Sequence, residues 1–409
     1  MTVRAPRQPI DVIVIGAGII GTACAEALAA RGRRVTVIEH DTVGGGATAA
    51  GMGHLVVMDD NAAELALSSY SLGLWKELVG DAPQRHEYSR CGTIWVAADE
   101  EERAAAAAKA ELLHAHGLAC ELLDAAALYR REPQLRPGLA GGLLVRGDGL
   151  VYPPKNARIL LERAHRDGAL LMRGRVRAIE DHGVLLEDGT RLQAAHVVLA
   201  AGAASAALLP QLPLQAKKGH VIITDRYPGF IQHQLVELGY IKSAHAASGD
   251  SVAFNLQPRP TGQILIGSSR QFDSTDTAVE PAMMARMLKH AIGYAPALAQ
   301  LNVLRCWTGL RAATPDGLPL IGPCAARRGL WLATGHEGLG ITTSLATAQL
   351  LAAQIVGENA AIAHDPYLPA RFAQLRAAPE APLHHGARAA SGTPADDVQL
   401  SASAGMALL

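Results

Sequence analysis

DVIVIGAGIIGTACAEALAARGRRVTVIEH, residues 11–40, is the stretch on which the fold turns. Ile10 to Ile15 is a continuous apolar run, as a parallel strand covered on both faces requires. Gly16, Gly18 and Gly21 then form GxGxxG ahead of a helix expected from about Ile19 to Ala30. Gly16 allows the tight turn, Gly18 lets backbone approach a pyrophosphate, and Gly21 lets helix pack on strand. The free N–H groups and dipole at the helix start favour an anion there. Arg34 to Ile38 reads as the second strand, and Glu39 ends it, 23 residues after Gly16. A carboxylate at that place suits a ribose diol and repels a 2′-phosphate, which disfavours NADP.

The remainder of a dinucleotide domain does not follow at once. The next strand of that type, VVLAAG, comes only at 197–202, and the last strand–helix pair, GLWLATG with GITTSLATAQLLAAQIVG, begins at 329. A nicotinamide Rossmann domain completes its sheet in one block of about 150 residues, so NAD is disfavoured as well. The expected fold is α/β: a split Rossmann-like nucleotide domain from residues 1–80, 151–205 and 309–364. An α+β domain on an antiparallel sheet is expected as its insertions, 81–150 and 206–308. Helices are expected at 62–79, 100–116, 156–166 and 282–291, with a hairpin-like stretch at 174–188. From 365 to 409 the chain turns to Ala, Pro, Gly, Ser and His, and a disordered tail is expected.

Composition narrows the function classes. The chain has 409 residues, 49% of them hydrophobic, enough for two cored domains. Charges nearly balance, 37 basic against 38 acidic, with no basic stripe for nucleic acid. The five cysteines are scattered, so neither a disulfide framework nor a metal cluster is expected. No signal-peptide-like or membrane-spanning run is read, and a cytoplasmic protein is expected.

GGGATAAGMGHL, residues 44–55, separates the remaining cofactors. A second glycine-rich loop just after the ribose acid is needed where backbone must lie against the ribityl chain and isoalloxazine of FAD. Thr48 offers a hydroxyl, while Gly51 and Gly53 permit close approach. At the other end GHEGLGIT, residues 335–342, joins a strand to a long helix. Backbone N–H groups of Gly338, Leu339 and Gly340, with a helix dipole behind them, suit the negative charge of a reduced flavin. His336 either approaches substrate and flavin or bonds to its own loop. Arg311, in the apolar, turn-rich WTGLRAATPDG, needs a partner if buried. A substrate carboxylate fits its fork, whereas Asp316 or solvent would make it structural.

These blocks resemble the FAD-dependent amine oxidoreductases of the D-amino-acid oxidase and glycine/sarcosine oxidase type over roughly residues 10–360. The resemblance rests on the GxGxxG unit with Glu39, on GGGATAAGM, on VVLAAG, and on WTGLRAATPDGLPLIGP followed by ATGHEGLGIT. AAGMGHLVVMDD and GHEGLGITTS look most like the D-hydroxyproline dehydrogenases. The resemblance implies FAD contacts from Gly16, Gly18, Ile19, Gly21, Glu39, Thr48, Gly51, Met52, Val176, Gly202, Gly338, Leu339, Gly340 and Ile341. It implies that Arg311 grips an amino-acid carboxylate, and that Asn255 falls where glycine oxidases carry a pocket tyrosine. Tyr240 is a replacement from a neighbouring strand, unless both are only packed strand residues. Some sarcosine oxidases attach FAD through a cysteine whose place falls at about Gly309 here, so non-covalent FAD is expected. The implied reaction is oxidation of a small D-amino acid, cis-4-hydroxy-D-proline above all, to an imine by hydride transfer to flavin. The implied acceptor is a quinone or partner protein, and homo- and hetero-oligomers both remain open. The alternatives are an O2-using glycine/sarcosine oxidase and a flavin-bearing subunit of a larger dehydrogenase complex.

Overall fold

The computed structural model describes residues 9–239, 249–272 and 274–375. Tyr240 and residues 376–409 lie outside them. The chain is a mixed α/β protein with two eight-stranded sheets. In the first, Ile10–Ile15 sits centrally, parallel to Val35–Glu39 on one side and Arg191–Leu199 on the other. Leu330–Thr334 and Leu170–Arg173 extend the parallel set outward, and Leu320–Pro323 adds an antiparallel edge. Both faces are covered, which is why Val12 to Val14 are fully buried and the strand reads as unbroken apolar residues. One face packs on the helices Ile19–Ala29, Pro153–Arg166 and Gly340–Val356 through Leu28, Leu160 and Leu350. The other packs under Val176–Glu180 and Gly183–Leu186. Those two strands close at Asp181 and His182, and the EDGT turn then leads into Arg191–Leu199.

The second sheet runs in the order Val303–Ala313, Gln215–Thr224, Ile264–Arg270, Ser251–Pro258, Gln234–Glu237, Thr93–Ala97, Gly141–Val145, Cys120–Asp124. Its back packs on the helix Pro281–Tyr294 through Met287 and Ala291. Three expectations need correction here. The sheet is not wholly antiparallel: Gln234–Glu237 runs parallel to Thr93–Ala97, the seam where its two insertions join. The second domain does not end at 308, because Val303–Ala313 pairs along its length with Gln215–Thr224, so Arg311 stands on the second sheet. Residues 365–375 are no part of a disordered tail. Tyr367 and Leu375 are about 1% exposed, and the Tyr367 hydroxyl donates to Ala63 O at 2.6 Å. Arg371 pairs with Asp316 at 2.6 Å, which removes Asp316 as a partner for Arg311. Two prolines and the lack of any helix or strand periodicity hid the core side chains Tyr367 and Leu375.

Among the described residues no helix is long and apolar enough to cross a membrane. Tyr367→Ala should cost about 3–5 kcal/mol, as loss of a buried aromatic does elsewhere. Equilibrium urea unfolding at saturating FAD reads this out. A loss under about 0.5 kcal/mol would mean that the 365–375 segment adds nothing to the core.

Candidate active site

The glycine turn is built as its spacing requires. Gly16 adopts φ +100°, and a Cβ there would meet Ala200 O at 2.7 Å. A Cβ on Gly21 would stand 2.0 Å from Gly16 O, so helix and turn touch only because both are glycine. Thr48 Oγ1 accepts from Ile19 N–H at 3.0 Å, tying the second glycine loop to the start of the first helix. Gly44 N–H donates to Ala17 O at 2.8 Å and fixes the other end. Glu39 accepts from Ala17 N–H at 2.8 Å and Asp41 N–H at 2.7 Å. His40 Nδ1 also stands 3.1 Å from Oε1, and Oε2 keeps a further lone pair for a diol. Gly174 N–H donates to Glu39 O, which brings the Val176 strand beside that acid. Gly202, at φ +56°, follows the Arg191–Leu199 strand, and its carbonyl accepts from Thr334 Oγ1 at 3.4 Å.

A cavity of about 790 Å³ lies where the second sheet faces these loops. Gly51, Met52, His336, Gly338, Leu339 and Ile341 line it from the first domain, and Arg311 and Asn255 from the second. The Gly51 loop and the Gly340 helix are locked together. A Cβ on Gly51 would meet Ile341 Cδ1 at 2.7 Å, and Thr342 Oγ1 donates to His54 O at 3.0 Å. The first-turn N–H groups of Gly340, Ile341 and Thr342 have no carbonyl within the helix to bond, which leaves them for an anionic or electron-rich group.

Arg311 is half-buried, and its Nη1 donates to Ser269 O at 3.0 Å. The guanidinium lies over Gly219 on the adjacent strand: a Cβ there would stand 2.6 Å from both terminal nitrogens. Gly219 pairs with Gly309, and a Cβ on Gly309 would meet the Cβ of Ala50 at 2.4 Å. Trp307 Nε1 donates to Ala50 O at 3.1 Å across the same junction. One glycine pair thus seats the arginine and admits the cofactor loop.

His336 lines the cavity and ties its ring to the last helix. Its Nε2 bonds Thr347 Oγ1 at 2.9 Å, and burial pushes its pKa down to about 3. Glu337, in left-handed backbone at φ +45°, carries charge into the cavity instead. Lys217 and Arg270 both reach its Oε1, each at 3.1 Å. The sequence reading missed this cluster, along with Gly219 in KKGHV and His54, one residue beyond the last glycine of the loop it did read. It also missed Trp95. Trp95, Val236 and Asn255 stand in one cross-strand row on the cavity face of the sheet. Asn255 therefore belongs to the cavity; Tyr240 lies outside the described residues. Among the latter no cluster of three His, Cys, Asp or Glu side chains is placed to hold a metal ion.

The family profile described as "FAD dependent oxidoreductase" matches residues 11–354. The chain belongs to that family. Its cofactor is FAD, and the glycine turn, Glu39, the Thr48 loop and the Gly340 helix start are the cradle that fits it. The chain is 30% identical to a glycine oxidase of Pseudomonas putida, covering 88% of this chain and 98% of the relative. It is 28% identical to hydrogen cyanide synthase subunit HcnC of Pseudomonas aeruginosa, covering 90% and 97%. The solved glycine oxidase of Geobacillus kaustophilus superposes with a TM-score of 0.79 at 27% identity, covering 88% of this chain and 98% of that one.

The glycine pair separates substrate from cofactor functions. Gly219→Ala should displace the Arg311 guanidinium and lower kcat/KM about a hundredfold while FAD stays bound. Gly309→Ala should push Ala50 and its loop off the strand and lower FAD content of the purified protein. The flavin spectrum and steady-state rates check both, and exchanged phenotypes would contradict this placement.

Proposed function

We propose that this FAD-dependent oxidoreductase oxidises a small D-amino acid, cis-4-hydroxy-D-proline, to the corresponding pyrroline carboxylate. The observation that carries the reading is the seat of Arg311, whose fork is aimed by Ser269 O and cleared by Gly219 inside the cavity shared with the cofactor loops. A carboxylate is the planar anion that fits such a fork. Held in that cradle, FAD would supply the sink for the hydride of Cα, and the amine proton would pass to water. Arg311 fixes the carboxylate and, through it, the direction of the Cα–H bond. His336 is too weak a base at neutral pH to take the amine proton, which favours an amine that binds already neutral. The likeness of AAGMGHLVVMDD and GHEGLGITTS to D-hydroxyproline dehydrogenases supports the narrower substrate. With glycine rather than cysteine at position 309, that route of covalent attachment is absent and FAD is held without a covalent bond.

Two further readings keep specific support. The glycine oxidase relatives favour an O2-using oxidase of glycine or sarcosine. The HcnC likeness favours a flavin-bearing subunit that passes electrons to a partner protein or quinone. Anaerobic mixing with D- and L-amino acids, following loss of flavin colour, tests the substrate; oxygen uptake then separates oxidase from dehydrogenase. Bleaching by glycine or sarcosine but not by D-prolines would replace the reading with the first alternative.

Arg311→Ala should lose on the order of 3–5 kcal/mol of transition-state binding, about a hundred- to several-thousand-fold in kcat/KM. Arg311→Lys should fall between it and the native enzyme, since charge survives and the fork does not. Amino-acid amides should lose far less on mutation. Near-native rates in Arg311→Ala would move the carboxylate anchor elsewhere.

A further inference from the structure

Three buried polar atoms of residues lining the cavity, His54 Nε2, Asn255 Oδ1 and Trp95 Nε1, make no hydrogen bond of normal geometry in the protein, and the His54 and Asn255 side chains stand near enough to feel each other. They come from different domains. His54 stands on the short strand His54–Leu55, pinned by pairing with Leu150 and by the Thr342 hydroxyl on its carbonyl. Asn255 stands on Ser251–Pro258, opposite Gly267 and Val236. Neither backbone is free to turn its side chain out to solvent. An unpaired buried polar atom costs about 1–3 kcal/mol, and two on facing elements of one cavity imply a ligand group that satisfies both. We propose that His54 and Asn255 form a subsite that recognises a neutral hydroxyl on the carbon skeleton of the amino-acid substrate.

The chemistry of the pair selects that group. The Asn255 carbonyl oxygen only accepts, so the ligand must donate to it. Burial drives the His54 imidazole down to about 4, with the Asn255 side chain pulling it partly back and the positive charge of Arg259 opposing protonation. At neutral pH the ring is uncharged, and its Nε2 donates or accepts according to tautomer. A hydroxyl does both. An ammonium suits the place poorly, because Arg259 already makes the local potential positive. The same subsite disfavours substrates without the hydroxyl, since these leave both atoms unpaired; a site built for a hydroxyl rejects its deoxy analogue far more strongly than an apolar pocket rejects an extra group.

This subsite rests on the amino-acid reading of the Arg311 cavity, and the experiment keeps the two apart. Specificity constants are measured for cis-4-hydroxy-D-proline and D-proline with an artificial acceptor, in the native holoenzyme, in Asn255→Leu and in His54→Phe. The native enzyme should prefer the hydroxylated substrate. Both variants should lose about ten- to a hundredfold of that preference, with the loss falling mainly on the hydroxylated substrate. His54→Gln, whose amide reaches towards the Nε2 position, should keep part of it. FAD content and the flavin spectrum are recorded for each, so that a variant that fails to load is recognised and the conservative one decides. An unchanged preference ratio in the variants, or a native enzyme indifferent to the hydroxyl, overturns the subsite while leaving D-amino-acid oxidation standing. An altered flavin spectrum at constant ratio makes the pair a cofactor contact and overturns it too. A native flavin reduced by no amino acid overturns the underlying reading and the subsite together.

Discussion

The contact between Gly219 and the Arg311 guanidinium, with Gly309 opposite, is the constraint on which the site depends. A guanidinium cannot lie flat across a strand that carries a side chain there, and a cofactor loop cannot reach a strand through a Cβ. Both demands are met at one rung of one ladder. From that rung the strand continues to Ala313, which bridges to His336, and Ala312 O accepts from Glu337 N–H at 2.8 Å. The arginine and the loop that opens the last helix are therefore fixed to each other by backbone, and distance between substrate anchor and flavin cradle is set by main-chain geometry rather than by rotamers.

Electrostatics follow from this arrangement. Arg311, Arg270 and Lys217 line the cavity, and Glu337 takes the latter two. Glu337 sits in left-handed backbone, which costs a non-glycine residue energy and is held by the surrounding hydrogen bonds. The histidines of the cavity, His54 and His336, are neutral at physiological pH because burial opposes their charge. The cavity thus sets the Arg311 cation, with Lys217 and Arg270 held on Glu337, beside neutral donors and acceptors.

Much of the fold was legible because covered parallel strands and helix caps write themselves locally. The helix Ala62–Val79 starts at Asn61, whose side chain accepts from Glu64 N–H, and ends at Gly80, a cap pattern readable from residues alone. The boundary at 308 was not legible, since GLRAATPDG looks like a loop until the partner strand at 215–224 is in place. Nor was the packing of 365–375, where Pro366 and Pro369 break any helix or strand periodicity around its two core residues.

By itself the sequence determined the nucleotide unit, since GxGxxG and a strand-end acid act through backbone geometry within a few residues of one another. It also marked Arg311, because an arginine in apolar surroundings demands a partner. Only the tertiary structure decided what surrounds that arginine. Gly219, Ser269, His54 and Asn255 come from four separate strands, and nothing local in any of them signals the others. It likewise decided that His336 bonds Thr347, a partner eleven residues on that faces it only after the last helix has packed. Local chemistry specifies elements; which polar atoms end up unpaired in a shared cavity depends on how distant strands register.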